Sequence, residues 1–342
     1  MNKRIIIVRM DRIGDVVLST PALKAVRDAY PDGHIAVLVR PYARDVVDGN
    51  PNIDEVITYD KLGKEKSVIG KIRFICSLKN KKFDIAIIFH PKNSSHILTF
   101  LAGIPERLGY GKKSRIFLTK KIPHTKQYGL RHEIDYVLEL LRYVGIEASS
   151  KDLCMPVNSA SDGKIEKLFK ENGISQSDIV ITIHPAASCR SRRWALERFA
   201  KAADTIAEKY GARIVIISGP GDDKLMGDKV ATMIKSKALN LAGKTSVSDI
   251  ASILRRSRLL ISNDSGPVHI SCAVGTPVIS IFGRKDRGLS PARWGPVGKR
   301  DIAIHKDAGC DICLAHNCKR GFKCLDMISV EDVLSAADKI LS

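Results

Sequence analysis

Short, unbroken apolar runs recur along this 342-residue chain, and they leave few folds open. In the first half stand "RIIIVR" (4–9), "HIAVLVR" (34–40), "DEVITY" (54–59) and "DIAIIFH" (84–90). In the second stand "DIVITIH" (178–184), "RIVIIS" (213–218), "LLISN" (259–263) and "VISIF" (278–282). A strand with one wet face alternates apolar and polar residues; a run without alternation is buried on both faces. Between the runs the patterning is helical, at 16–29, 43–48, 66–79, 94–102 and 132–144, then at 161–172, 195–209, 222–235, 246–255, 266–274 and 329–341. Strands alternating with helices predict parallel sheets with crossover connections. The Ser-rich stretch 145–160, which holds Pro156, separates the two series as a linker. The expected architecture is therefore α/β, with two doubly wound, Rossmann-like domains, 1–155 and 156–342, facing each other across a cleft. Open parallel sheets bind ligands beyond the carboxyl ends of their strands, so the residues after each run are the candidates for chemistry.

Charge narrows the partners. The chain carries 56 Lys and Arg against 37 Asp and Glu, a net of +19. Residues 1–160 hold 27 basic against 17 acidic residues, and the densest segment, 61–82, holds eight basic residues and one Glu. Such a balance suits a polyanion: nucleic acid, an anionic membrane surface or a phosphorylated substrate. Nucleic acid is disfavoured, because aromatics are only 6% and do not interleave with the basic residues. No run approaches the roughly 18 apolar residues of a membrane span. The opening "MNKRIIIVRMD" is too short for a signal-peptide core, so a cytoplasmic protein is expected.

Three turns in the second half look built for a nucleotide. In "SNDSGPVHISCAVGTPVISIFG" (262–283) a strand runs into a helix through Asp264, Ser265 and Gly266, with Pro267 suited to the first helical turn. Asp264 or Ser265 suits the N-cap, the exposed N–H groups form an anion site, and His269 lies one turn in. In "HPAASCRSRRWALERF" (184–199) the basic cluster Arg190, Arg192 and Arg193 follows a strand end, and guanidinium groups suit a diphosphate. In "IISGPGDDKLMG" (216–227), Asp222 or Asp223 follows a Gly-Pro-Gly turn, where a carboxylate can bind ribose hydroxyls. Each turn alone is also what a capped helix or a solvated loop looks like.

The first strand end is different. "RMDRIGDVVLSTPALKA" (9–25) lacks the G-x-G-x-x-G of a phosphate loop and offers the single Gly14 with Asp11 and Asp15. Carboxylates repel phosphate, so a different ligand is expected here.

Taken together, the 9–31, 184–199 and 262–283 segments resemble the ADP-heptose:lipopolysaccharide heptosyltransferases, family nine of the glycosyltransferases, and the resemblance runs from about residue 4 to the last helix. It implies the GT-B fold, with donor held by the C-terminal domain, inverting transfer of a heptose and no required cofactor or catalytic metal. Residue by residue, Asp15 matches the catalytic carboxylate, with Arg12 and Gly14 in the acceptor-side loop. Arg192 falls where a Lys is usual and would bind the donor diphosphate. Asp223 falls where a Glu commonly binds ribose. Asp264, Ser265, Gly266 and His269 match the phosphate-binding turn. The implied partners are ADP-heptose, a phosphorylated lipid A or core oligosaccharide acceptor and an anionic inner-membrane surface, to which segments 61–82 and 112–121 would contribute. The implied location is the inner face of the cytoplasmic membrane. Another nucleotide-sugar donor, a sugar-nucleotide epimerase and a non-catalytic nucleotide-binding relative remain alternatives.

Four of the eight cysteines cluster in "CDICLAHNCKRGFKC" as Cys310, Cys313, Cys318 and Cys324. Four thiolates can bind Zn, but zinc ribbons separate their Cys pairs by a dozen residues or more. Structural thiols or a disulfide are therefore the expectation ahead of metal.

Overall fold

A computed structural model describes residues 2–112 and 114–342; Lys113, in the basic stretch 112–121, lies outside the described residues. The chain divides into two compact units, one formed by the residues up to Gln127 with Glu133–Pro156, the other by Tyr128–His132 with Val157–Ser342.

The first unit runs β1 (Arg4–Val8), α1 (Ile13–Val17), α2 (Thr20–Ala29), β2 (His34–Val39), α3 (Arg44–Val47), β3 (Glu55–Thr58), α4 (Val68–Asn80), β4 (Ile85–Ile88), α5 (Asn93–Leu101), β5 (Glu106–Gly111), β6 (Lys120–Pro123) and α6 (Glu133–Arg142). Its six strands are all parallel, in the order β3-β2-β1-β4-β5-β6. Ile5, Ile6, Ile7 and Val8 are fully buried, as an unalternating central strand requires. Burying each contributes at most about 1.5–3 kcal/mol. Ile6 and Val8 join Phe74 and Leu78 of α4, Leu98 of α5 and Ala102 just after it in one core cluster; Ile5 and Ile7 point to the opposite face.

The second unit runs α7 (Ser159–Glu171), β7 (Val180–His184), α8 (Leu196–Tyr210), β8 (Arg213–Ile216), α9 (Asp222–Met233), β9 (Ala238–Asn240), α10 (Val247–Arg255), β10 (Leu259–Asn263), α11 (Gly266–Ala273), β11 (Val278–Phe282), α12 (Pro291–Trp294), β12 (Ile302–His305), α13 (Lys323–Asp326) and α14 (Val330–Leu341). Its parallel order, β12-β11-β10-β7-β8-β9, repeats the first unit's topology. In each sheet the chain reverses direction of strand addition beside the unit's first strand, at β1/β4 and at β7/β10. Ligand crevices form at such switch points. The last helix, α14, packs on the second unit's own core through Val330, Val333, Ala337 and Ile340.

Two departures from the sequence reading have clear causes. Residues 16–29 are not one helix, because Pro21 has no N–H to give the Val17 carbonyl; the Thr20 hydroxyl takes that carbonyl instead, at 2.7 Å. Four strands lacked a signal. β6, β9 and β12 are short; β6 and β9 and β12 are also the edges of their sheets, where an apolar run is not needed. β5 is interior, but Gly109 breaks its pattern, and a Cβ there would come within 3.2 Å of Leu118.

Candidate active site

The switch point of the first unit is a knot of charge around Arg9, the residue after β1. Its guanidinium is 2% exposed. Nη1 donates to the Phe89 carbonyl at 2.9 Å, Nη2 lies 3.1 Å from Asp15 Oδ1 and 3.0 Å from Glu133 Oε1, and Nε lies 3.1 Å from Asp11 Oδ1. Glu133, 1% exposed at the start of α6, also pairs with the Lys126 ammonium at 2.7 Å. His90, after β4, places Nδ1 2.7 Å from Asp11 Oδ2. The local sequence builds this directly: β1 and β4 are neighbours, so the residues following them meet.

Asp15 is the third residue of α1, and its Oδ2 accepts from the Arg12 N–H at 3.3 Å. Gly14 lies inside that short helix, so the Gly-Asp pair is helical and not part of a loop. Three carboxylates (Asp11, Asp15, Glu133) share two permanent cations (Arg9, Lys126), one negative charge too many for a largely buried cluster. Asp11 and Asp15 resolve this in opposite senses. Arg9 and His90 outweigh the burial of Asp11 and hold its carboxyl below the usual range. Burial, then the adjacent Asp11 charge, pushes Asp15 up to about 7. Arg9 itself is held more firmly protonated than usual by its three carboxylate neighbours, against the effect of its burial. A general base works best with a proton affinity near the working pH. Asp15 meets that condition and Asp11 does not.

The second switch point is basic. The Asp264 carboxylate, 5% exposed, lies 2.7 Å from Arg284 Nη2 and 3.3 Å from Arg192 Nε. Two guanidinium groups on one carboxylate leave a net positive charge. Asp264 holds Arg192 and Arg284 in place. Ser265 is the N-cap of α11, yet its side chain makes no cap bond; its hydroxyl lies 3.1 Å from His184 Nδ1 and 3.0 Å from the Ser262 hydroxyl. The first N–H groups of α11, from Gly266 onward, thus keep no side-chain cap, and helix-start N–H groups suit an anion. Burial holds His184 down at about 4, so its ring is neutral at physiological pH. His269 is buried within α11 at 4% exposure.

Of the other arginines, Arg190 lies over the Phe322 ring at 5.9 Å and Arg193 Nε donates to the Ala187 carbonyl at 2.7 Å. Trp194 is a packing residue, 1% exposed, its indole N–H bonded to the Ile328 carbonyl at 2.9 Å. Asp223 sits in the first turn of α9, and partial burial raises its carboxyl above the usual range against the pull of Arg193. Gly221, at φ 65° and ψ −131°, caps that helix in a conformation open to glycine. Two buried hydroxyl oxygens, of Ser218 after β8 and of Thr245 before α10, have no hydrogen-bond partner among the described residues.

The structure thus gathers Asp15, Arg12 and Gly14 at one switch point and Arg192, Asp264, Ser265, Gly266 and His269 at the other. Sequence reasoning missed Arg9 as an organiser, His90, Lys126, Glu133, His184 and Arg284. A charged residue or histidine directly after an apolar run, as in "IIIVR", "AIIFH" and "VITIH", was the available signal. The four clustered cysteines are free thiols that line a cavity of about 410 Å³ with His305 and Arg320. They form no disulfide, and among the described residues no set of three His, Cys, Asp or Glu side chains is arranged to hold a metal ion.

Comparison with known proteins identifies the family and the fold. The sequence profile of glycosyltransferase family 9 (heptosyltransferase) matches residues 71–323. Lipopolysaccharide heptosyltransferase 3 of Escherichia coli K12 is 26% identical, over 96% of this chain and 95% of its own length. The crystal structure of a family 9 glycosyl transferase from Veillonella parvula superposes with a TM-score of 0.90 at 29% identity, covering 100% of this chain and 98% of that one. E. coli ADP-heptose lps heptosyltransferase II has the same fold, with a TM-score of 0.80 at 19% identity over 99% and 98% of the two chains.

Proposed function

Since the matched profile spans most of its length, the chain belongs to glycosyltransferase family 9, the heptosyltransferases, and from that membership we propose that Asp15 is the base with which it moves a heptose from ADP-heptose to a lipopolysaccharide inner-core or lipid A acceptor. The protein is a glycosyltransferase of GT-B fold. The observation that carries the assignment of the base is the place of Asp15 in a largely buried cluster of carboxylates around Arg9, its Oδ1 3.1 Å from Arg9 Nη2; burial first, then the Asp11 charge, pushes its carboxyl up to about 7.

The chemistry divides between the two switch points. In the second unit the diphosphate of the donor lies on the start of α11 and on Arg192, with Asp223 toward the ribose. An acceptor hydroxyl attacks the anomeric carbon from the face opposite the leaving group. The new C–O bond forms as the bond to the ADP phosphate breaks, and the hydroxyl proton passes to Asp15. Negative charge grows on the leaving phosphate, where the α11 N–H groups and the Arg192 guanidinium bind it more strongly than in the ground state. The configuration at the anomeric carbon inverts.

A donor screen tests this reading: purified protein with ADP-heptose, ADP-glucose and UDP-sugars, with and without a lipid A or core acceptor. Heptose transfer only from ADP-heptose and only with acceptor is expected. Asp15→Asn should lower transfer by roughly 10²–10⁴-fold while ADP binding is kept. Turnover unchanged in that variant removes Asp15 as base. Sugar isomerisation without acceptor makes the protein an epimerase instead.

A further inference from the structure

The run "HIAVLVR" ends in an arginine, as "RIIIVR" does, and the strands they form are neighbours. The two arginines differ in what surrounds them. Four Lys or Arg side chains are buried among the described residues: Arg9, Arg40, Lys126 and Arg284. Arg9 and Lys126 share Glu133, and Arg284 meets Asp264 at 2.7 Å. Arg40 is 7% exposed, yet among the described residues no carboxylate pairs with its guanidinium and no hydrogen bond engages it; its Nε is fully buried. A buried cation without a partner destabilises a fold until something answers its charge. A guanidinium presents a planar fork of N–H donors that fits the paired oxygens of a carboxylate or a phosphate.

The place of Arg40 indicates the occupant. It follows β2, at the same carboxyl edge of the sheet as Arg9 after β1 and His90 after β4. The Tyr42 hydroxyl donates to the Asp11 carbonyl at 2.7 Å, which ties the turn after Arg40 to the segment that bears Asp15. Arg40, Arg12, Asp11 and Asp15 all act on the Tyr42 phenol, so the four charges stand around one space, and Tyr42, 51% exposed, leaves that space open. On the other side of Arg40 lies Tyr59, after β3, its ring edge-on to Phe74 at 4.9 Å. The carboxylate on that side, Glu65, accepts the Asp60 N–H at 2.6 Å and forms no ion pair with Arg40.

We propose that Arg40 binds the acceptor, its guanidinium pairing with an oxyanion, carboxylate or phosphate, carried beside the hydroxyl that Asp15 deprotonates. The identity of the occupant as acceptor rests on the proposed function; the anion site itself does not. Pairing supplies the counter-charge that the fold leaves out. It also fixes the acceptor at one point by a directional fork, so that the hydroxyl is presented to Asp15 in one orientation. A neutral acceptor leaves the buried charge unanswered, which makes Arg40 a determinant of acceptor choice.

Two readouts separate this role from a structural one. Arg40→Met keeps most of the stem and removes the charge, so its melting temperature should equal or exceed the parent's. The second readout is calorimetric binding of delipidated core oligosaccharide to the full-length protein, in intact, dephosphorylated, carboxyl-reduced and doubly treated forms. The parent should bind the intact form roughly 10–100-fold tighter than the form that lacks the responsible group, and that form names phosphate or carboxylate as the source. Arg40→Met should bind the intact form as weakly as the parent binds the neutral one. Arg40→Lys should recover part of the affinity, and both variants should bind ADP like the parent. In turnover the acceptor KM of Arg40→Met should rise by the same factor, with kcat falling less than KM rises. A variant Arg40→Met that binds intact oligosaccharide like the parent overturns the proposal. So does a parent that does not distinguish the intact from the neutral form, or an Arg40→Met melting temperature several degrees below the parent's. A parent that binds acidic oligosaccharide through Arg40 but transfers no heptose leaves this site standing and removes the proposed function instead.

Discussion

Asp11 and Asp15 stand four residues apart, touch the same guanidinium, and have opposite proton affinities. The difference lies in their second partners: Asp11 has His90, whereas, among the described residues, the Asp15 carboxylate meets the Arg12 N–H and shares Arg9. This fixes a pH dependence. With Asp15 as the proposed base, kcat/KM should rise about tenfold per pH unit below about 7 and level off above it. The groups facing Asp15 are Arg9, Asp11, Glu133 and Lys126, with His90 one step away. Among them, Asp11 is the anion that most raises Asp15, after burial itself. Asp11→Asn should therefore move the acidic limb to lower pH, and a limb that stays in place or moves up contradicts the assignment. At this scale the sequence was half legible. Asp15 was found through its resemblance to a family pattern. Glu133 was not, because its link to Arg9 joins positions 124 residues apart, and no local pattern records such a contact.

Elements were read well where both of their faces are buried. The central strands β1, β2, β4, β7, β8, β10 and β11 all coincide with unbroken apolar runs. The edge strands β6, β9 and β12 were silent, since edges tolerate Lys and Pro, as "KKIP" in β6 shows, while the edge strand β3 was read from "DEVITY". The α1–α2 break was missed for another reason: helical periodicity continues through it, and only the absent N–H of Pro21 interrupts the backbone. The Thr20 hydroxyl is what makes that break stable, and it also accepts the Cys154 N–H at 3.0 Å. Thr20→Val keeps the shape and leaves both backbone groups without that partner. It should destabilise the first unit by about 1–3 kcal/mol, measured by urea unfolding. A change below a few tenths would mean that the break is set by Pro21 alone.

At the scale of the whole molecule, one topology is used twice with opposite charge. The first unit's switch point carries surplus carboxylate and the second carries surplus guanidinium. The duplication was legible from the two series of apolar runs; the charge inversion was legible only in part, from the missing glycine fingerprint and the Arg190–Arg193 cluster. Nucleotide should therefore stabilise through the second unit. ADP at a hundred times its dissociation constant should add about 2.7 kcal/mol to folding, seen as a raised melting temperature. Arg192→Gln should need at least about tenfold more ADP for the same shift. An equal shift at equal ADP would leave Arg192 without a donor role.

The surplus carboxylate also bears on how such a protein can be engineered. An Asp whose folded proton affinity lies above its ordinary 3.8 stabilises the fold fully only below that pH, and the contribution is lost as pH rises through about 7. At alkaline pH the native enzyme therefore carries an ionised group that its surroundings resist. Directed evolution for heat resistance alone under those conditions would reward replacement of Asp15, the proposed base. A screen for robust variants has to select on turnover in every round, or be run at acidic pH, where that reward disappears.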